Sequence, residues 1–146
     1  MINENIEQSL IDDFTSLLVT TGVVVVAGTF RPVSNYPCVF IDVAECREEL
    51  TGTSIYDCEV LITPAHFIRH DQDGAELREL TTNIRNILQA GNIEEASKLY
   101  EQLNDTSETL TYWPGYIDQS TPIRDDEVSA REIPYMITVQ PKSTQE

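Results

Sequence analysis

Two neighbouring segments with the alternation of β-strands constrain the fold of this chain more than any other feature. The first runs from Pro37 to Val43 and the second from Ser54 to Ile62, with a polar, glycine-containing connection at 48–53. Apolar residues at alternate positions place one side of each strand against a core. The turn-like connection predicts an antiparallel pair, a hairpin with long projecting ends.

The alternation divides the residues of the hairpin into a core-facing set and an outward-facing set. In the first strand we expect Val39, Ile41 and Val43 to face the core, and Phe40, Asp42 and Ala44 to face away. In the second strand the core-facing set is Tyr56, Cys58, Val60 and Ile62.

A helical pattern precedes the hairpin. Apolar residues from Ile6 to Leu18 recur at helical spacing and predict a helix over about residues 4–20. Gly22 follows as a C-terminal stop. The β-branched run at 23–27 then predicts a short strand.

Helical patterns also follow the hairpin. We expect Pro64 to end the second strand, because proline cannot donate to a sheet ladder. Asp73 and Glu76 have the spacing of a capping box and open an apolar stripe that ends at Gly91. A second cap and stripe begin at Asn92, which predicts two short helices rather than one long helix.

The C-terminal third contains the least regular patterns. A strand beginning at Leu110 is interrupted by Pro114-Gly115, residues 121–129 form a polar segment predicted to be an exposed loop, and a last strand spans 131–139. Pro134 within that strand predicts an edge position or a bulge. These elements predict one α+β domain over residues 1–140, followed by a tail at 141–146. Its sheet is mixed and mainly antiparallel, packed by an N-terminal helix and one or two central helices.

The net charge is strongly negative. The 146 residues include 25 acidic and nine basic side chains, giving a formal charge of -16. This excess argues against sequence-specific nucleic-acid binding and against an anionic membrane surface. Two interpretations stay open: charge that serves solubility, or charge that repels DNA, as in the lining of a DNA passage or in a DNA mimic.

The chain lacks a recognisable catalytic pattern, so we expect neither enzyme activity nor a cofactor. Cys38, Cys46 and Cys58 are too few for a disulfide framework and indicate a reducing compartment. A rival hypothesis is a metal-dependent enzyme that uses His66, His70 and Asp73, but Pro64 and the Asp-Gln-Asp-Gly run indicate a loop there.

Two segments are candidates for contacts with neighbouring subunits or partners. Tyr112, Trp113 and Tyr116 form an aromatic cluster that either covers one end of the core or anchors an interface. The turn between the two hairpin strands contributes the other candidates, which are Glu48, Glu49, Leu50 and Thr51.

Five parts of the chain together resemble one known family. They are Tyr36–Ile41, the Glu49–Gly52 turn, Tyr56–Ala65, the helix through Leu77 and Ile84, and the strand Ile133–Val139. Their order resembles that of the tail terminator, or tail completion, proteins of long-tailed bacteriophages. The likeness covers most of residues 1–90 and the last strand. Residues 92–130 depart from the family's compact pattern, so another connector or stopper protein of the neck stays an alternative.

The resemblance implies a structural role in the virion. Tail terminators form a homohexameric ring that caps the tail tube and joins it to the head connector or stopper, while DNA passes through the lumen. It implies subunits that meet edge to edge, no cofactor, assembly in the host cytoplasm and a final location at the head–tail junction. The principal alternative from another class is an acidic DNA-mimic inhibitor.

Overall fold

The computed structural model of the chain describes residues 2–28, 30–31, 37–48, 52–89 and 97–142. Its helices are α1 (Ile2–Leu18), α2 (Ala75–Gln89) and α3 (Ser97–Thr106). Its strands are β1 (Val24–Ala27), β2 (Cys38–Glu48), β3 (Tyr56–Phe67), β4 (Leu110–Tyr112), β5 (Tyr116–Ile117), β6 (Thr121–Arg124) and β7 (Val128–Pro141).

The strands form one mixed, mainly antiparallel sheet, and the predicted α+β class is confirmed. The order is β1-β2-β3-β7-β4, and β5 and β6 also pair with β7. The β1–β2 pairing is parallel, whereas the two strands of the predicted hairpin pair antiparallel from Cys38–Ala65 to Glu48–Tyr56. The hairpin and β7 therefore form the centre of the sheet.

The three helices pack on one face of the sheet. The apolar stripe of α1 is buried there with residues of α2 and α3, and Gly22 ends the helical segment in the left-handed conformation with φ of 84°. The core-facing residues predicted for β3 are all buried on this face. Val39 and Ile41 are buried with them, and Val43 packs against the same cluster at its edge.

Phe40 lies on the face opposite to Val39 and Ile41, as the alternation predicted, but it is buried there. It is 1 % exposed and belongs to a second, smaller cluster with Cys38, Ala65 and Ala130 on the other face of the sheet. The ring of Phe30 covers it, with an edge-to-face centroid distance of 5.4 Å. The helix-free face thus has its own apolar patch, which the residues before β2 help to bury.

Pro64 does not end β3, so that prediction is wrong. The strand continues to Phe67, and Pro64 lies opposite Val39 of β2. Pairing with β7 is interrupted at Thr63 and Pro64 and resumes at Ala65. The missing N–H falls in this gap of the ladder, and for that reason the strand tolerates the proline.

Pro134 lies neither on an edge strand nor at a register shift, in contrast to the prediction. It is opposite Leu61 of β3 in an unbroken register, and on its other side β7 pairs with β5 and β6. The pairing of β7 with β5 ends at Tyr135, and its pairing with β6 begins at Glu132. Pro134 therefore lies between these two paired segments, where β7 needs no N–H donor. There its carbonyl accepts a hydrogen bond from the N–H of Asp118.

Residues 121–129 form a hairpin and not the predicted exposed loop. β6 ends at Arg124, and the N–H of Asp125 donates to the carbonyl of Val128 as β7 begins. Ile123 lies opposite Ala130 and packs against the second cluster. Ile123 is the one apolar residue of β6 that packs on this cluster, and a single apolar residue in a polar segment does not predict a strand.

The last strand is longer than predicted at both ends. β7 runs over Val128–Pro141 rather than 131–139, with Pro141 opposite Leu110. The N–H of Lys142 donates to the carbonyl of Thr109. The domain therefore extends through residue 142, two residues beyond the predicted boundary, and the remaining predicted tail lies outside the described residues.

Asp71, and not Asp73, binds the N3 amide at the start of α2. Its carboxylate accepts hydrogen bonds from the N–H groups of Glu76 and Leu77, whereas Asp73 accepts one from Ala75. Burial opposes ionisation, but these bonds and the charges of His66 and Arg78 lower the pKa of Asp71.

Helical segments lie on both sides of residues 90–96, α2 before them and α3 after them, and the predicted break between two helices falls within that range. The junction expected at Gly91 and the second cap expected at Asn92 lie outside the described residues.

Candidate functional site

The helix-free face of the sheet carries a group of carboxylates, here called the acidic sheet face. Its members are Asp42, Glu45, Asp57, Glu59 and Glu132. They share a face because alternate residues of a strand point to the same side and because the three strands are in register. Asp42 and Glu132 also line one small hollow together.

The five carboxylates outnumber the two arginines, Arg31 and Arg47, that the described residues place on this face. Glu45 of β2 lies directly opposite Glu59 of β3, and opposed like charges destabilise a strand pair. The Nε atom of Arg47 is 3.7 Å from the Glu45 carboxylate in an exposed ion pair of little energetic weight, and the Arg31 guanidinium lies over the Phe40 ring. Asp57 accepts a hydrogen bond from the Thr138 hydroxyl. The face therefore presents excess negative charge that a cationic partner surface would neutralise.

Four of the seven arginines of the chain line one cleft on the opposite side of the sheet. We call it the arginine cleft, and its arginines are Arg78, Arg85, Arg124 and Arg131. Its volume is about 540 Å³. Arg78 and Arg85 are seven residues apart on α2, which places both on one side of the helix. Arg124 and Arg131 come from the two strands of the β6–β7 hairpin.

No carboxylate of the described residues lies within ion-pair distance of these four arginines. Arg78 donates to the carbonyl of Asp73, and Arg131 donates to the hydroxyl of Ser120 at 3.2 Å. Both acceptors are neutral. The carboxylates of Asp71 and Asp73 also line the cleft, and the charge of Arg78 acts on Asp71, but four guanidinium groups against two carboxylates leave the cleft net positive. A cationic cleft in so acidic a chain is suited to a carboxylate or another anion.

A buried histidine forms part of the cleft wall. His66 is 4 % exposed, and its Nε2 lies 2.9 Å from the carboxylate of Glu76. Its Nδ1 is buried and has no hydrogen-bond partner among the described residues. Buried polar atoms are normally paired, so His66 keeps one ring nitrogen whose hydrogen-bonding capacity no described residue uses.

The predicted aromatic cluster is divided between the core and the surface. Tyr112 is 1 % exposed and its hydroxyl donates to Asp13 at 2.6 Å, so the prediction that it is a contact residue is wrong. Trp113 and Tyr116 are 39 % and 63 % exposed. Tyr116 pairs with Met136, which places it on the helix-free face beside the carboxylates. Tyr116 therefore lies near the acidic sheet face, and Trp113 is a second exposed side chain of the type enriched in interface anchors.

The predicted contact residues of the hairpin turn are described only in part. Glu48 ends β2 and its carboxylate accepts a hydrogen bond from the N–H of Ser54 at 2.9 Å. Glu49, Leu50 and Thr51 lie outside the described residues.

The histidines and the aspartate of the rival metal site have different partners. His66 binds Glu76, the ring of His70 contacts that of Phe67, and Asp73 caps α2. In the described part of the chain, no three His, Cys, Asp or Glu side chains are arranged to hold a metal ion.

Sequence reasoning missed both the arginine cleft and the acidic sheet face. The available signal was the seven-residue spacing of Arg78 and Arg85 within an acidic chain. Their proximity to Arg124 and Arg131 depends on the packing of α2 against the sheet, which no local pattern reports.

Comparison with known proteins gives no assignment, since neither a protein-family model nor a curated protein matches this chain. Among the helices described here, none has the length and apolar character needed to span a membrane.

Proposed function

We propose that the chain is a structural protein of the head–tail junction of a long-tailed bacteriophage, a tail terminator that assembles into a ring. The observation that carries this proposal is the separation of opposite charges onto two sides of one sheet. The acidic sheet face lies on the helix-free side, and the arginine cleft lies between α2 and the β6–β7 hairpin.

Two complementary surfaces on opposite sides of one subunit support a head-to-tail contact. Each copy presents a cleft to one neighbour and an acidic face to the other, and such a heterologous contact generates a ring when its rotation closes. A two-fold contact would instead place like charges together. In this proposal the arginine cleft of one copy receives carboxylates of the acidic sheet face of the next.

The charge that remains after assembly is consistent with a passage for DNA. The net charge is -16, and only five of the 25 acidic residues belong to the acidic sheet face, so most of them lie outside these contacts. A lumen of the same sign as the phosphate backbone lowers the adhesion of DNA during its transit. The proposed partners are further copies of the chain, the tail tube protein and a head connector or stopper, with DNA held without sequence-specific binding.

The test combines mass measurement in solution with electron microscopy after mixing with isolated tail tubes. We expect rings at tube ends and tubes of fixed length, because a terminator stops polymerisation. Free subunits that are monomeric but form rings on the tubes also support the proposal. A chain that stays monomeric and neither caps tubes nor joins them to heads would contradict it.

Two alternatives give different results in the same experiment. A connector or stopper of the neck would bind heads or the portal side and leave tube length unchanged. The acidic sheet face also supports a DNA-mimic inhibitor, because its carboxylates lie on one surface. That function predicts a stable complex with a DNA-binding protein that DNA displaces, and no binding to tail tubes.

A further inference from the structure

Cys46 and Cys58 face each other across the central hairpin. They are directly opposed in the β2–β3 register, and their sulfur atoms are 2.9 Å apart, although both are free thiols. A register shift between Val43 and Glu45 produces this pairing, since an unbroken register would place Cys46 opposite Asp57. The bulge thus brings Cys46 to the helix-packed face beside Cys58.

The backbone at this position suits a disulfide. Pro134 has no N–H, and its carbonyl accepts from Asp118 on the side away from β3. Pro134 and Leu61 are therefore a non-hydrogen-bonded pair. Alternation along β3 then directs the amide of Cys58 towards β7 and makes Cys46–Cys58 a non-hydrogen-bonded pair as well. Such pairs bring Cα atoms to about 4.5 Å, within the range that disulfides span.

We propose that Cys46 and Cys58 are a redox-modification site that forms a reversible cross-strand disulfide with a low-molecular-weight disulfide as oxidant. The sulfur of Cys46 bonds to one sulfur of the small disulfide as its S–S bond breaks, and the other half leaves as a thiol that takes the Cys46 proton. The sulfur of Cys58 then attacks the mixed disulfide at Cys46 and releases the second small thiol, whose sulfur takes the Cys58 proton. Two thiols of the protein are oxidised, and one small disulfide is reduced to two thiols.

The order of attack follows from the environments of the two thiols. Cys46 is 9 % exposed, whereas Cys58 is 1 % exposed. A hydrogen bond from the Cys58 thiol lowers the pKa of Cys46, and the same bond together with burial raises the pKa of Cys58. Cys38 is fully buried on the other face, and burial, opposed by Arg31, raises its pKa to about 11. We therefore expect Cys38 to remain a free thiol during this oxidation.

The experiment incubates the native full-length chain with oxidised glutathione and follows intact mass, peptide maps and free thiols. We expect the mass to fall by two hydrogen atoms, with a Cys46–Cys58 link and one free thiol. Closing this short loop should raise Tm by about 5–10 °C. Dithiothreitol should reverse both changes.

Single substitutions separate this site from general thiol reactivity. Cys38→Ala should form the same link, whereas Cys58→Ala should stop at one glutathione on Cys46. A native wild-type chain that keeps three free thiols, or that accumulates glutathione without the internal link, would overturn the proposal. These readouts use the isolated chain, so they are independent of the proposed ring.

Discussion

We expect the variant Arg85→Glu/Arg124→Glu to stay monomeric at concentrations at which the wild-type chain assembles. Both side chains line the arginine cleft and have no carboxylate partner among the described residues. In the proposed ring, their reversal would place like charges against the acidic sheet face of the next copy, at a cost of several kcal/mol. Sedimentation velocity should show self-association weakened by about 100-fold or more.

Arg47 provides the matched control for a single reversal in the cleft. Arg124→Glu and Arg47→Glu change the net charge equally, but Arg47 lies on the acidic sheet face, where it pairs with Glu45. Arg124→Glu should weaken association, whereas Arg47→Glu should preserve or strengthen it. Equal weakening by both would show that net charge, and not the cleft, governs assembly. Circular dichroism would establish that each variant is folded.

Gly115→Ala should cause the largest loss of stability from a single methyl group. A Cβ at Gly115 would lie 2.5 Å from the carbonyl oxygen of Met136 and 2.9 Å from Cε2 of Tyr135. The Met136 carbonyl belongs to the paired backbone of β7 and cannot move alone. The Tyr135 ring packs against Phe14 of α1, with 6.0 Å between the ring centroids, so its displacement would disturb the core. Urea denaturation should show a loss of about 3 kcal/mol in the free energy of unfolding.

Gly52→Ala separates steric overlap from backbone strain. Gly52 has φ of 89°, and a Cβ there meets nothing within 4 Å. Its cost should be about 1 kcal/mol, from the left-handed conformation alone. A loss for Gly115→Ala no larger than that for Gly52→Ala would contradict the predicted overlap.

Local patterns predicted the elements well, because periodicity reports which side of an element is buried. The α1 stripe from Ile6 to Leu18 and the alternation in β3 are such cases. Pro64 and Pro134 were misjudged because the cost of a missing N–H depends on whether a neighbouring strand pairs at that position. The sequence around each proline does not show where the neighbouring strand pairs.

The candidate surfaces were largely beyond prediction. The arginine cleft joins α2 to a hairpin some forty residues later in the chain, and only their packing brings the charges together. Tyr112 was grouped with Trp113 and Tyr116 as a contact residue because tryptophan and tyrosine are enriched at interface hot spots. The structure separates them, since alternate side chains of a strand point to opposite faces and Tyr112 is buried. The Cys46–Cys58 pair depends on the register shift between Val43 and Glu45, which the local sequence does not predict.

A mixing experiment tests the head-to-tail contact without reference to any partner. One variant carries Arg85→Glu/Arg124→Glu and keeps its acidic sheet face, and the other carries Asp57→Asn/Glu59→Gln and keeps its arginine cleft. Each should be impaired alone, whereas their mixture retains one intact contact and cannot close a ring. Native mass spectrometry should show a one-to-one heterodimer. At a concentration at which the wild-type chain assembles, a mixture that stays monomeric, or variants that each form rings alone, would contradict assembly through these two surfaces.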